Sequence, residues 1–268
     1  MQDDYLVARN PLLLAATCAI GFFLSAPLLI LVIESFTAEN HLGFPPAAFG
    51  LRWYRHIIQP GSWLETAGRS VLVAAIVAPL AVATGTMAAL AIERGPARWR
   101  STLYTLLISP MILPHVVLAL GFFRLVLMLN ADDSYAAICV AHLIISVPYI
   151  VITVSASLQS LDRSLEEAAL NLGASEWRAF LHVILPALIP GLVAGAVFAF
   201  IESFDEFIIT FFITTFRLTL PIQIFNSLAY QLDPSVAAVS SAALAMTMLL
   251  TVCLLLRGQL VAAGRIVR

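Results

Sequence analysis

Asp162–Pro186, DRSLEEAALNLGASEWRAFLHVILP, is a long polar, helix-forming insert in a chain that is otherwise strongly apolar. Its capping chemistry is readable residue by residue. Ser164 and Glu167 stand at capping-box spacing, the hydroxyl taking the Glu167 amide and the carboxylate returning to the Ser164 amide, which predicts a helix start at Ser164. Leu165, Ala168, Ala169 and Leu172 then make one apolar stripe, and Gly173 supplies the left-handed residue that ends the helix. Ser175 is placed to cap a second helix from Glu176 to about Ile184, which Pro186 is expected to close. A helix, a glycine turn and a helix result, with an apolar stripe that has no obvious burial place in its own chain. A projecting knob of this kind is built to enter a groove in a partner.

The rest of the chain sets the medium in which that knob sits. Of its 268 residues 61% are hydrophobic and 11% charged, and the mean hydropathy is +0.96, well beyond ordinary globular composition. We read an all-α integral membrane protein. A net charge of −2 with no extended basic cluster argues against nucleic-acid binding. Cys18, Cys139 and Cys253 all fall in apolar runs and read as small packing residues, not as disulfides or metal ligands. All 14 basic residues are arginine. A phosphate-binding P-loop needs its lysine, so any ATP used must be hydrolysed by another subunit.

Six apolar runs are long enough to cross a bilayer: about 11–33, 66–92, 102–129, 135–158, 187–213 and 236–256. They predict one transmembrane domain over 1–268, with the polar insert 162–186 between the fourth and fifth spans. Pro11 to Ile33 is longer than a signal-peptide core and reads as a retained first helix. Arg9, Arg94, Arg98, Arg100, Arg163, Arg178, Arg257, Arg265 and Arg268 fall on one side, and Arg52, Arg55, Arg69 and Arg217 on the other. The positive-inside rule therefore places both termini and the insert in the cytoplasm, and Glu34–Glu65 and Thr214–Ser235 outside. LRWYRHI (Leu51–Ile57) reads as an interfacial helix. Pro27, Pro79, Pro110, Pro114, Pro148 and Pro190 lie in spans, where kinks are tolerated and common.

Ionisable groups within a span are costly and usually face a bundle interior or a water-filled cavity. In the fifth span, IESFDEF sets Glu202, Asp205 and Glu206 on one expected helix face, with Ser203 and Phe207 alongside as candidates for a substrate pathway or gate. Counted from Pro190, Asp205 lies roughly 22 Å along the helix, in the outer half of the span. Crowded carboxylates repel one another, and a cationic substrate or an arginine would relieve them. Arg124, in the third span, reads equally as an intrachain ion-pair partner of Asp205 or Glu206 and as part of the pathway. His115 and His142 read as interhelical hydrogen-bonding groups. No catalytic or metal site is expected: HExxH, CxxC and GxSxG are all missing, which disfavours an intramembrane enzyme.

Glu167-Ala168-Ala169, Gly173, Val183 and Leu185-Pro186 together resemble the EAA loop of permease subunits of type I ABC importers. SPMILPHVVLALG (Ser109–Gly121), SFDEF (Ser203–Phe207) and TLPIQIF (Thr219–Phe225) extend the likeness to the C-type permease group of spermidine/putrescine importers, across nearly the whole chain. The resemblance implies a six-helix subunit in the bacterial cytoplasmic (inner) membrane. It implies pairing with a second, B-type permease, two copies of an ABC ATPase that bind ATP and Mg, and an extracytoplasmic substrate-binding protein. This chain itself would hold no cofactor. Glu167, Ala168, Ala169, Gly173, Leu185 and Pro186 would form the ATPase-coupling element. The cargo would be a polyamine or related cation, with an opine, aminoethylphosphonate, an amino-acid-like solute, thiamine or iron as alternatives. A stand-alone secondary carrier would leave the knob without a partner.

Overall fold

The computed structural model describes residues 11–230 and 233–266, with side chains up to Cys253. Arg9 and Arg268 of the expected topology lie outside the described residues, as do the side chains of Arg257 and Arg265. The described residues are nearly all helical, with a single isolated bridge between Thr37 and Phe49. The helices are α1 Pro11–Glu34, α2 Arg52–Ile57, α3 Ser62–Arg94, α4 Ala97–Ile112, α5 His115–Met128 and α6 Tyr135–Gln159. They continue as α7 Arg163–Asn171, α8 Glu176–Ala179, a π turn Phe180–Ile184, α9 Leu185–Asp205, α10 Ile208–Ile213, α11 Leu220–Tyr230 and α12 Ser235–Ile266.

Five helical stretches are long and apolar enough to cross a membrane: α1, α3, α6, the continuous Glu176–Asp205 and Ser235–Cys253. The expected third span is the exception. Instead of one helix over 102–129, α4 and α5 meet at a 97° bend. Pro114 has no amide hydrogen to continue the ladder, and it drives Leu113 into extended backbone (φ −74°, ψ 139°). Counted as one bent span, the pair completes the six.

Two compact units are distinguished, residues 1–64 with 224–245 and residues 65–223 with 246–268. Within the first, the loop after α1 closes on α2. Ser35 Oγ and Tyr54 Oη are 2.7 Å apart, and the Trp53 indole donates to the Glu39 carbonyl at 3.0 Å. The aromatic, basic patch of the sequence is the short helix α2.

The second unit is built around α6. One layer packs Val73 and Val77 of α3, Ala119 and Val126 of α5, Ile138 and Ile145 of α6, and Ile209 and Ile213 of α10. A second packs Ala81 and Ala89 against Ile150 and Val154 of α6 and Leu188 and Ala199 of α9. In lipid there is no hydrophobic gain from joining two apolar helices, so close packing and hydrogen bonds must hold them. Gly191 and Gly195 of α9 supply the closeness: a Cβ on Gly195 would stand 2.7 Å from Thr153 Oγ1, and one on Gly191 2.6 Å from the Thr153 carbonyl. This small-xxx-small seam fixes how the carboxylate-bearing helix lies on α6.

Candidate functional site

The polar insert is a helical hairpin, with two corrections to its expected caps. Asp162, not Ser164, is the N-cap of α7: its carboxylate accepts the Ser164 amide at 2.9 Å. That backbone bond and the Ser164 hydroxyl hold the exposed Asp162 carboxyl below its ordinary range. Ser164 is thereby drawn into the first turn and no capping box forms. At the other end Gly173 has φ +88°, and the Gly173 amide reaches Leu170 O at 2.9 Å while Ala174 reaches Ala169 O at 3.1 Å, a Schellman closure. Ser175 accepts from the Arg178 amide at 3.4 Å, as expected of a cap.

Pro186 does not close the second helix. The chain passes from α8 through the π turn Phe180–Ile184 into α9 with Pro186 in its first turn. A π turn carries one extra residue, which lets the helix pass a proline that cannot donate. The second helix of the hairpin and the carboxylate-bearing span are therefore one helical stretch, Glu176–Asp205.

The stripe on the hairpin is uncovered. Leu165 is 54% exposed, Leu172 89% and Trp177 66%, while Ala169 is half-buried and Glu167 and Ala168 are exposed. Leu185 and Pro186 are half-buried at the root. The hairpin is tied to its own unit by Arg94, whose guanidinium meets Glu166 at 2.9 Å. Beside it, Glu93 accepts from Arg100 and from the Gln159 amide, the latter at 2.9 Å.

At the far end of α9 the helix stops at Asp205, so Glu206 does not share a helical face with Glu202 and Asp205. Glu206 has φ −65° and ψ 119°, and its carboxylate turns to cap α10, accepting the Ile209 amide at 2.8 Å, the Thr210 amide at 2.9 Å and the Thr210 hydroxyl at 3.0 Å. Two histidines complete the group. His142, fully buried, lies 2.7 Å from Thr210 Oγ1 through Nε2 and 2.9 Å from Ser203 Oγ through Nδ1. Because Thr210 spends its proton on Glu206, it accepts from His142 Nε2–H, which leaves Nδ1 to accept from Ser203 in the neutral ring. His115, the first residue of α5, lies 3.9 Å from Glu202 and 3.9 Å from Glu206. Glu202 also accepts from Tyr149 at 2.9 Å, and the Tyr149 ring stacks on Phe198.

The remaining candidates are placed as follows. Asp205 is exposed at the helix end, and Phe207 is half-buried with its ring against Phe211. Arg124 is exposed on α5 and joins neither Asp205 nor Glu206; it forms no ion pair among the described residues.

A clamp that the sequence did not reveal lies between the α5–α6 and α10–α11 loops. Asp133 Oδ1 accepts from the Thr214 hydroxyl (2.6 Å) and from the Thr215, Phe216 and Arg217 amides (3.1, 2.9 and 3.0 Å). The Arg217 guanidinium returns to the Asp133 carbonyl at 2.6 Å and lies over the Tyr135 ring. Burial alone would raise the Asp133 carboxyl, but these four hydrogen bonds outweigh it and hold it down at about 2. The partners are 81–84 positions away, so no local pattern announces them.

Long apolar helices, one sharply bent pair and a projecting amphipathic hairpin define a multi-pass helical membrane protein. Its fold is that of ABC importer permeases. A bacterial ABC transporter involved in the import of the acidic polysaccharide alginate superposes with a TM-score of 0.68 over 98% of this chain and 99% of that one, at 14% identity. An amino acid ABC transporter with histidines gives 0.59 over 77% and 94%, at 19% identity. The chain belongs to the family of binding-protein-dependent transport system inner membrane components, whose model matches residues 81–264. It is a family of transport components, not of enzymes.

Among similar proteins, the putrescine transport system permease protein PotI of Escherichia coli (strain K12) is 33% identical over 175 residues, 62% of each chain. The spermidine/putrescine transport system permease protein PotC of Haemophilus influenzae is 29% identical over 164 residues, 61% of this chain and 63% of the relative. The molybdate/tungstate transport system permease protein WtpB of Thermococcus kodakarensis is 33% identical over 124 residues, 46% of this chain and 49% of the relative. The similarity thus spans a little under two thirds of the length of the polyamine relatives.

Proposed function

We propose that this chain is the transmembrane permease subunit of an ATP-driven importer, forming with a second, B-type permease the pathway for a small polar cation, with a polyamine as the favoured cargo. Two copies of an ATPase subunit in the cytoplasm hold ATP and Mg, and an extracytoplasmic binding protein delivers the solute. Both termini and the hairpin face the cytoplasm. The observation that carries the reading is the uncovered stripe Leu165, Leu172 and Trp177 on a hairpin whose second helix, which bears Trp177, continues as one helical stretch to Glu202 and Asp205. A groove on an ATPase would cover the stripe, and its movement would reach the carboxylates without a flexible joint.

The proposed gate is Glu202, Ser203, Asp205, Glu206 and Phe207, with Arg124 at the pathway. Within it Glu206 and Ser203 hold the shape, through α10 and His142 respectively. Glu202 and Asp205 are the carboxylates left to meet a cation. A cation is favoured over the oxyanions named for the Thermococcus relative because two carboxylates at a helix end repel an anion. Competitive uptake into vesicles tests this: putrescine or spermidine is taken up by the wild-type transporter, and Glu202→Gln with Asp205→Asn reduces uptake roughly tenfold with assembly intact. Unchanged uptake in that double variant, or uptake of molybdate in place of the polyamines, removes the cationic pathway.

A further inference from the structure

The ends of α3, α4 and α6 beside the hairpin line an open cavity of about 480 Å³, within the size range of small-ligand sites. Its apolar lining is formed by Ile92, Tyr104 and Ile152. Its mouth is polar, formed by Glu93, Arg100 and Gln159, and it adjoins a second hollow that adds Arg94, Arg163 and Glu166. Three arginines therefore face two glutamates. Arg100 is paired with Glu93 and Arg94 with Glu166, but a guanidinium has five N–H donors, and among the described residues Arg163 reaches only the Glu93 carbonyl at 3.5 Å. Basic donors remain at the mouth.

The walls thus present cationic donors and, beside them, apolar side chains. That is the order of phosphate and acyl chain in a glycerophospholipid. The α4 helix agrees, since it has no buried residue and exposes Trp99, an aromatic side chain suited to the membrane–water interface.

We propose that this cavity is a site for an anionic phospholipid of the cytoplasmic leaflet. The phosphate sits on Arg100 and Arg163, and an acyl chain runs along Ile152 and Tyr104. Basic pockets between spans on the cytoplasmic side bind such headgroups elsewhere by the same forces. The site rests on the cytoplasmic placement of these arginines in the proposed function, but not on the cargo. Because it lies beside the Arg94–Glu166 link to the hairpin, an occupied site braces the base on which the hairpin moves.

The test uses the whole assembled transporter, extracted from membranes and reconstituted in nanodiscs of phosphatidylcholine alone or with phosphatidylglycerol. The readouts are co-purifying lipid, by mass spectrometry, and the unfolding temperature. Wild type is expected to retain phosphatidylglycerol and to unfold about 3 °C higher in its presence. Ala156→Phe, which fills the cavity from its exposed rim without altering a charge, should lose both effects, and Arg100→Gln with Arg163→Gln should lose the selectivity for the anionic lipid. Equal retention by wild type and Ala156→Phe, an equal unfolding temperature in phosphatidylcholine alone, or stabilisation by glycerol phosphate without lipid would each overturn the proposal. So would a cross-link from Ala156→Cys to a partner permease, which would mean that protein covers the cavity. Substrate-stimulated ATP hydrolysis is measured in the same samples: if wild type shows none, the function proposed above fails, whatever the lipid result.

Discussion

Asp133 shows how much a single side chain does in this protein, and how little of that is visible locally. One carboxylate oxygen organises four consecutive positions of another loop. Bonds to a charged acceptor are worth more than neutral ones, so Asp133→Ala should destabilise the second unit by about 2 kcal/mol. The acid sensitivity has a defined sign. The folded carboxyl is depressed to about 2 from an ordinary 3.8, so its contribution is complete above about 3.8 and is lost as pH falls towards about 2. Amide exchange should show Thr215, Phe216 and Arg217 losing protection across that window in the wild type, and weakly protected at every pH in Asp133→Asn. The residue could not be found from sequence because its partners are distant and because Asp after Asp in a turn is unremarkable. His142 was legible as an interhelical hydrogen-bonding group, as it proves to be, but its partners were not, since Ser203 and Thr210 stand 61 and 68 residues away.

At the scale of elements, local chemistry was legible where caps and turns decide it. Gly173 and Ser175 behave as their sequence context predicts. Asp162 displaced Ser164 as a cap because an aspartate two positions earlier offers an ionised acceptor to the same turn. The helix running through Pro186 was hidden because a π turn has no sequence signature, and the 97° bend at Pro114 because proline permits a kink without fixing its angle. Two substitutions separate these effects. No atom lies within 4 Å of a Cβ placed on Gly173, so Gly173→Ala pays only the left-handed backbone cost, about 1 kcal/mol, and should fray the hairpin with the transmembrane core intact. Gly195→Val instead drives α9 from α6 against Ile150 and Thr153, costing roughly 1–3 kcal/mol. Melting curves in detergent, followed by proteolysis of the hairpin, should show early cleavage in the first variant and a lowered global transition in the second.

At the scale of the whole molecule, the expectation of six spans with a helical insert between the fourth and fifth fits the five long apolar helices and one bent pair among the described residues, because apolar length accumulates over many residues. The gate was legible as a cluster of acids but not as a geometry. Helix periodicity put three carboxylates on one face, whereas the break after Asp205 and local bonds from Ile209 and Thr210 turn Glu206 to cap α10 and leave Glu202 beside His115 and Tyr149. The hairpin's role as mechanical input is tested most directly by ATP hydrolysis and solute uptake measured together in vesicles bearing the complete transporter, with Gly173→Val and Glu167→Leu combined in this chain. We expect the variant to lose most of its association with the ATPase and to uncouple the two activities, with uptake falling at least tenfold while the rest of the membrane unit remains folded. Normal assembly together with normal uptake-coupled hydrolysis would contradict a coupling role for the hairpin.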